Sequence, residues 1–211
     1  MIVYDNVFTQ DEIDQLIRYY KDLPISSIKY LPDGELLRNV KNTNYNLEDQ
    51  LPYKIIHDKL EKVIGAHHFT GGHYLDSHQP YILHFDNIDY FKSTGVPVYE
   101  SDLSKEVGVL IPLVANQNFQ TMFFDHHLNS PLTDDWMKDL AKNSTQVLPT
   151  DVLDLLDHHT PEELESIKHF ILDGVAEWKI GRVIVWRRNQ LHCSSNFAKH
   201  GLTKQAIVLW V

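Results

Sequence analysis

The stretch "YILHFDN", residues 81–87, places a histidine and an aspartate two positions apart in an otherwise apolar run. In an extended strand, alternate side chains point to opposite faces, so His84 and Asp86 are predicted to share one face. Tyr81, Leu83 and Phe85 are predicted to share the other. A buried carboxylate without a partner is energetically costly. A bound metal ion would compensate both side chains, and ordinary pairing with neighbouring residues is the alternative.

A third candidate lies near the C-terminus. Gly181 opens an apolar strand that ends at Trp186, a polar turn follows, and His192 begins the next element. Taken alone, such a histidine is most simply a hydrogen-bonded residue of the core or of the sheet rim. The order along the chain favours a shared metal site: a His-x-Asp strand, a long interval, a strand, a turn and a histidine. A basic residue, Lys204, then opens the last predicted strand.

Two histidines and one carboxylate on one face of a metal, with the opposite positions open, form the facial triad of non-heme Fe(II) oxygenases. The arrangement resembles the Fe(II)/2-oxoglutarate-dependent dioxygenase superfamily. The opening "VYDNVFTQDEIDQLI" is also similar to the segment that begins many prolyl-hydroxylase-like members. The resemblance implies a mainly β fold with a double-stranded β-helix, or jelly-roll, core. It covers the N-terminal helix and the sheet core, and residues 126–176 lie outside it.

The resemblance implies that His84, Asp86 and His192 bind Fe(II), and that 2-oxoglutarate and O2 react at this iron. The family usually has an arginine near the start of the final strand, which pairs with the distal carboxylate of 2-oxoglutarate. This sequence has Lys204 there. A lysine neutralises that carboxylate as a point charge but lacks the bidentate fork of arginine. A solvated strand end is the alternative role for this lysine.

The implied reaction is hydroxylation of a C–H bond in a small molecule or in a prolyl residue of a peptide. Related halogenating members have a small residue where Asp86 stands, so hydroxylation is favoured over halogenation. One alternative is a cupin-like metalloprotein with other chemistry, which would recruit further ligands such as His73 or His126. The other is a non-enzymatic jelly-roll binding module, in which His84 and Asp86 pair with neighbouring residues.

Other histidines and arginines have simpler interpretations. The pairs at 67–68, 126–127 and 158–159 lie in polar or turn-like contexts and are predicted at the surface. Arg182 and Arg188, near the strand that leads to His192, could reach substrate or cosubstrate. Exposed positions at a strand edge are the simpler explanation for both.

Two helices and a series of strands would position these residues. The first helix is predicted over residues 9–23, because Thr9 and Glu12 form a capping box before an apolar stripe. The second is predicted over residues 48–65, with Pro52 in its first turn. From about residue 69, short apolar or alternating runs predict antiparallel strands. These are "PYILHF", "VPVYE", "EVGVLIPLV", "FQTMFF", "RVIVWRR" and "KQAIVLWV".

Residues 126–176 interrupt the strands with a polar stretch that contains two helical segments, "LTDDWMKDLAK" and "TPEELESIKHF". Because strands flank this stretch on both sides, we interpret it as a helical insertion or lid and not as a second domain. Residues 1–211 are therefore predicted to form a single oxygenase-like domain.

Composition narrows the class of protein. The formal net charge of −10 argues against a protein that binds nucleic acid by neutralising phosphates. The single cysteine, Cys193, excludes an internal disulfide and predicts a reducing compartment, with the cytoplasm as the default location. The absence of a long apolar stretch predicts a chain without a membrane partner.

Overall fold

The computed structural model describes residues 1–65, 68–86, 107–128, 136–142, 144 and 146–211. Strands dominate this part of the chain. They are β1 (Ile2–Tyr4), β2 (Ser27–Tyr30), β3 (Leu36–Lys41), β4 (Gly71–Ser77), β5 (Val107–Pro112), β6 (Gln120–His127), β7 (Leu172–Glu177), β8 (Val183–Arg187), β9 (Gln190–Ser194) and β10 (Lys204–Trp210).

Five α-helices accompany these strands within the described ranges. They are α1 (Gln10–Asp22), α2 (Leu51–Ile64), α3 (Trp136–Ala141), α4 (Thr150–Asp154) and α5 (Pro161–Ile167). No helix in this part of the chain combines the length and the apolar character needed to cross a bilayer.

The strands form two antiparallel sheets. The larger sheet has the order β1-β8-β5-β10-β4-β3-β2, and the smaller has the order β7-β6-β9. Strands that are distant in sequence are neighbours in both sheets. The predicted jelly-roll core, with N-terminal helices beside it and a helical insertion, is confirmed. The predicted bounds of the insertion, 126–176, are wrong at the C-terminal end, because most of strand β7 lies within them.

Helices α1 and α2 cover the outer face of the larger sheet. The predicted capping box begins α1: the Thr9 hydroxyl accepts from the Glu12 N–H, and the Glu12 carboxylate accepts from the Thr9 N–H. Helix α2 has Pro52 in its first turn, as predicted. The two helices are joined by an ion pair of 3.0 Å between Lys59 Nζ and Glu12 Oε2. Their buried side chains share one hydrophobic cluster with the sheet.

The central strand β10 separates two layers of the core. Ile207 and Leu209 point to the helices, whereas Ala206 and Val208 point into the space between the sheets. This alternation follows from the two-residue period of a strand. The inner face of the larger sheet is therefore available to form one wall of an internal cavity.

The described part of the insertion packs on the outer face of the smaller sheet. Phe124 and Leu191 of that sheet share a hydrophobic cluster with Leu156 and with Phe170, which follows α5. Asn196, just after β9, donates its backbone N–H to the Leu155 carbonyl at 2.8 Å. The insertion thus supports the smaller sheet from outside.

The hairpin of β2 and β3 was not predicted from the sequence, although a signal was present. Residues 31–35 contain Pro32, Asp33 and Gly34, a combination that favours a tight turn. Gly34 has a φ of +90°, which a glycine adopts without steric cost, and the Asp33 carboxylate accepts from the Glu35 N–H. The hairpin extends the larger sheet and adds Arg38 to it.

Truncation of a core residue of α2 tests this packing. Leu60 is fully buried, so Leu60→Ala is expected to lower the free energy of unfolding by about 2–5 kcal/mol. The measurement is equilibrium denaturation with urea. Lys54→Ala, at an exposed position of the same helix, is the control and is expected to change stability by less than about 0.5 kcal/mol. Equal effects of the two changes would contradict the placement of α2.

Candidate metal centre

A single backbone bridge brings the two predicted histidine ligands together. The His84 N–H donates to the His192 carbonyl and the His192 N–H donates to the His84 carbonyl, both at 3.0 Å. The two residues therefore lie directly opposite each other, and their ring centroids are 4.3 Å apart. The segment that carries His84 lies along the free edge of β9, at one side of the smaller sheet.

The predicted regular strand "PYILHF" is wrong, because only His84 of this segment forms a bridge. Ser194 donates its N–H to the Tyr81 carbonyl at 3.0 Å, and Asp86 donates its N–H to the Arg188 carbonyl at 3.1 Å. Neither bond keeps the register set by the bridge, so the ladder is interrupted on both sides. The predicted alternation holds for Leu83 and Phe85, which are buried in the outer cluster. It is wrong for Tyr81, whose ring lies on the side of the ligands, 4.4 Å from the ring of His84.

The structure places the three predicted ligand side chains in one group. The distance from His84 Nε2 to Asp86 Oδ1 is 3.8 Å, and from His192 Nε2 to the same oxygen it is 3.7 Å. All three ligand atoms lie within 4.8 Å of one another. Two metal–ligand bonds of about 2.1 Å span up to about 4.2 Å, so one ion can bridge each histidine nitrogen and Asp86 Oδ1.

Hydrogen bonds hold both imidazoles in the tautomer that a metal requires. His84 Nδ1 lies 2.8 Å from the Ile82 carbonyl, and His192 Nδ1 lies 2.9 Å from the Gln190 carbonyl. A carbonyl only accepts, so each Nδ1 carries the proton and each Nε2 presents a lone pair to the group. Burial also lowers the pKa of His84, with a contribution from the nearby His192, and this favours the neutral ring.

Asp86 is oriented by a residue of the larger sheet. Trp186 Nε1 donates to Asp86 Oδ2 at 2.9 Å, which leaves Oδ1 facing the histidines. Gly108, opposite Trp186 on β5, leaves room for this indole, because a Cβ there would lie 2.4 Å from the ring. The sequence identifies Trp186 only as the end of an apolar strand, and its polar contact could not be read from the sequence.

His159 anchors the ligand-bearing segment to the insertion. Its Nδ1–H donates to the Leu156 carbonyl at 3.1 Å, and its Nε2 accepts from the Leu83 N–H at 3.3 Å. His159 is buried, which lowers its pKa, so the predicted surface position is wrong for this residue. His68 is exposed, as predicted, and His67 lies outside the described residues.

The ligand group lies in a cavity of about 490 Å³ between the two sheets. The larger sheet contributes Arg38, Leu75 and Val208 to the wall, and the smaller sheet contributes Thr121 and Ser194. Aromatic rings form much of the remaining surface. They belong to Tyr81, Trp178, Trp186 and Trp210.

Lys204 is buried at this cavity, so a solvated strand end is excluded. Its Nζ donates to the Gln120 carbonyl at 2.9 Å and to Ser194 Oγ at 3.2 Å. It lies over the rings of Trp178, at 4.6 Å, and Phe197, at 4.8 Å. No carboxylate of the described residues pairs with it. Burial lowers the pKa of Lys204 from 10.5 to about 7, because the charged form loses its hydration.

The two other arginine candidates have different roles. Arg182 is buried and forms a two-point ion pair with Asp5, with Nε–Oδ1 and Nη2–Oδ2 distances of 2.6 and 2.9 Å. It is a structural residue remote from the cavity lining. Arg188 lines the cavity, with its guanidinium carbon 5.1 Å from the centre of the Trp210 ring. The buried Cys193, next to His192 in the sequence, belongs to the outer cluster.

The cupin-like alternative required additional ligands, and the structure places neither candidate in the group. His73 lines the cavity and packs edge-on against Trp210, with ring centroids 4.8 Å apart. His126 packs edge-on against Phe170, on the outer side of the smaller sheet. Within the described ranges, the group around Asp86 contains two histidines and one carboxylate.

Solved structures share this architecture, although no protein-family model matches the sequence and no curated protein was found to be similar to it. The non-heme alpha ketoglutarate dependent epimerase SnoN from nogalamycin biosynthesis aligns with a TM-score of 0.60 and 10% identity, over 99% of this chain and 76% of that one. EctD from S. alaskensis with bound Fe aligns with a TM-score of 0.57 and 14% identity, over 99% and 71%.

HygX from Streptomyces hygroscopicus, with nickel and 2-oxoglutarate bound, aligns with a TM-score of 0.56 and 12% identity. The alignment covers 99% of this chain and 81% of HygX. At such low identity the likeness concerns the arrangement of the backbone. The chain therefore has the jelly-roll fold of these non-heme enzymes that depend on α-ketoglutarate.

Proposed function

We propose that this chain is an Fe(II)- and 2-oxoglutarate-dependent dioxygenase that hydroxylates a C–H bond of a small molecule. The observation that carries the proposal is the convergence of His84, Asp86 and His192, with both Nε2 atoms facing Asp86 Oδ1. Two imidazoles and one carboxylate on one side of a site match the facial triad of non-heme Fe(II) oxygenases. The fold, shared with enzymes solved with Fe or 2-oxoglutarate, supports the same assignment.

The donor set fits Fe(II), since borderline imidazole nitrogens and a hard carboxylate oxygen suit this ion. His84, Asp86 and His192 would hold it from the side of the smaller sheet and leave its other side open to the cavity. When bound, iron and 2-oxoglutarate supply the activation of O2 for oxidation of a substrate C–H bond, with release of succinate and CO2. A carboxylate at position 86, in place of a small residue, favours hydroxylation over halogenation.

Residues around the site have separate tasks in this proposal. Trp186 keeps Asp86 in its ligating orientation through the indole N–H. The aromatic walls exclude water, which would otherwise quench a reactive oxidant. Lys204, a buried cation with no carboxylate partner among the described residues, would neutralise the distal carboxylate of 2-oxoglutarate. That carboxylate would also compensate for the burial of the ammonium group.

The volume of the cavity and the solved structures with bound ligands support a small-molecule substrate. SnoN was solved with nogalamycin RO and EctD with 5-hydroxyectoine, which are both small molecules. A cavity of about 490 Å³ between two sheets suits a ligand of that size. Hydroxylation of a peptidyl proline stays a prediction from the opening sequence, and so does a cytoplasmic location.

Replacement of one ligand tests the metal assignment. Anaerobic protein with Fe(II) and 2-oxoglutarate is expected to show a weak visible charge-transfer band, and His192→Ala is expected to abolish it. His200→Ala, an exposed histidine beyond β9, is the control and should retain the band. A band that survives in His192→Ala would contradict the proposed ligand set.

Trp186→Phe tests the orientation of Asp86. The change keeps an aromatic ring in the core but removes the N–H that donates to Asp86 Oδ2. Loss of such a supporting hydrogen bond is expected to weaken Fe(II) binding by about 10- to 100-fold, measured by anaerobic calorimetry. The control is Trp136→Phe on α3, which should leave the affinity unchanged. An unaltered affinity in Trp186→Phe would show that the indole N–H does not support the site.

The pKa of Lys204 predicts a pH dependence for cosubstrate binding. Only the ammonium form attracts a carboxylate, and with a pKa of about 7 the ligand-free protein loses this form as the pH rises above neutrality. The affinity for 2-oxoglutarate is therefore expected to fall roughly tenfold per pH unit between about pH 7.5 and 9. The measurement is titration of the charge-transfer band.

Lys204→Arg is the comparison variant, because its guanidinium stays charged over this range and should give a flat profile. A flat profile in the unmodified protein would exclude Lys204 as the group that holds the distal carboxylate.

A further inference from the structure

We propose that the substrate of this site is an organic anion, and that Arg38 binds its carboxylate or phosphate group. The inference rests on the proposed function, since it assigns a role to Arg38 after Lys204 is assigned to 2-oxoglutarate. It depends on a residue of β3, a strand that the sequence reasoning did not predict.

Arg38 and Lys204 lie in one row across the larger sheet. Both residues are direct cross-strand partners of Ser77 on β4, Arg38 from β3 and Lys204 from β10. Direct partners in an antiparallel sheet point to the same face, and all three residues line the cavity. Two strand spacings separate the backbones of the two cations, a distance of roughly 10 Å. The row therefore offers two separate positions for negative charge.

The guanidinium of Arg38 faces the ligand group across one aromatic ring. Its central carbon lies 4.4 Å from the centroid of the Tyr81 ring, and that ring lies 4.4 Å from the ring of His84. A guanidinium over an aromatic face gains a cation–π interaction and keeps its N–H groups available for hydrogen bonds. If Arg38 binds the anionic group of a substrate, carbon atoms a few bonds from that group would lie next to the proposed iron.

Arg38 has spare hydrogen-bonding capacity. Its Nε is buried and has no hydrogen-bond partner in the part of the chain that the structure describes. No carboxylate of those residues lies within ion-pair distance of it. A buried donor without an acceptor is unfavourable, and a bound carboxylate or phosphate would satisfy it with the bidentate geometry that arginine prefers.

The charge balance of the cavity supports the same conclusion. Asp86 is the one acidic residue among the described residues of the lining. The net charge would be zero for the group formed by Fe(II), the carboxylate of Asp86, the two carboxylates of 2-oxoglutarate and the ammonium of Lys204. The lining contains two further basic residues, Arg38 and Arg188. The charge of Arg38, which has no carboxylate partner among the described residues, favours an anionic substrate over a neutral or cationic one. Burial, with a smaller contribution from the charge of Arg38, lowers the pKa of His73 to about 4, so this neighbour adds no charge at neutral pH.

The test compares anionic probes with a neutral one of similar shape. Phenylacetate, phenyl phosphate and phenylacetamide are titrated against anaerobic protein saturated with Fe(II) and 2-oxoglutarate. The readout is tryptophan fluorescence, because Trp186 and Trp210 line the cavity. At least one anion is expected to bind more tightly than the amide. Arg38→Gln is expected to lower the affinity for that anion on the order of 10- to 100-fold. The stronger anion identifies carboxylate or phosphate as the preferred group.

Three variants control the comparison. Arg38→Lys should recover part of the anion affinity, because it restores the charge without the fork. Arg18→Gln, at an exposed position of α1, should bind all probes as the unmodified protein does. Arg38→Gln should keep its affinity for 2-oxoglutarate, in contrast to Lys204→Gln.

Several outcomes would overturn the proposal. They are equal binding of anions and amide, failure of both anions to saturate, and anion binding that is insensitive to Arg38→Gln. A loss of 2-oxoglutarate affinity in Arg38→Gln as large as in Lys204→Gln would instead assign Arg38 to the cosubstrate.

The titrations are repeated with metal-free protein that carries Lys204→Gln. If iron and 2-oxoglutarate fail to bind at all, the proposed function fails, and these repeats still decide whether Arg38 selects anions.

Discussion

The site depends on one pair of backbone hydrogen bonds, those that join His84 and His192 across the edge of the smaller sheet. A hydrogen-bonded antiparallel pair fixes the two Cα atoms about 5.5 Å apart and points both side chains to the same face. Two imidazoles that are far apart in the sequence thereby become neighbours. The register shifts on both sides of the bridge end the regular ladder, and Asp86 turns back towards the same point.

The two sheets contribute different chemistry to the cavity between them. The edge of the smaller sheet carries the neutral imidazoles and the carboxylate, which suit a divalent cation. The larger sheet carries Arg38 and Lys204, which suit anions, and it also provides Trp186, which connects the two walls through Asp86. A cation held by one wall and anions held by the other would meet in the same water-poor space, where electrostatic interactions are strong.

Asp86 and His159 show how buried polar groups around this cavity are compensated within the protein, whereas Lys204 and Arg38 are compensated only in part. Asp86 accepts from Trp186, and His159 bridges two backbone groups. The ammonium of Lys204, by contrast, contacts a carbonyl, a hydroxyl and aromatic faces, but it has no carboxylate partner among the described residues. The buried Nε of Arg38 has no hydrogen-bond acceptor among the described residues. Sites that are incomplete in this way are expected where a ligand completes them.

The sequence by itself determined the elements whose signals are local: the capped helix α1, the second helix with Pro52, the strands around the C-terminal histidine, and the jelly-roll class through a family resemblance. It also identified His84, Asp86, His192 and Lys204 as the residues to examine. Only the tertiary structure decided that these four line one cavity, because the pairings that join them connect strands distant in the chain. Which strands become neighbours also decides the burial of Lys204, the contact of Trp186 with Asp86 and the cross-strand row with Arg38. The alternation of side chains along one strand does not indicate which strand pairs with it.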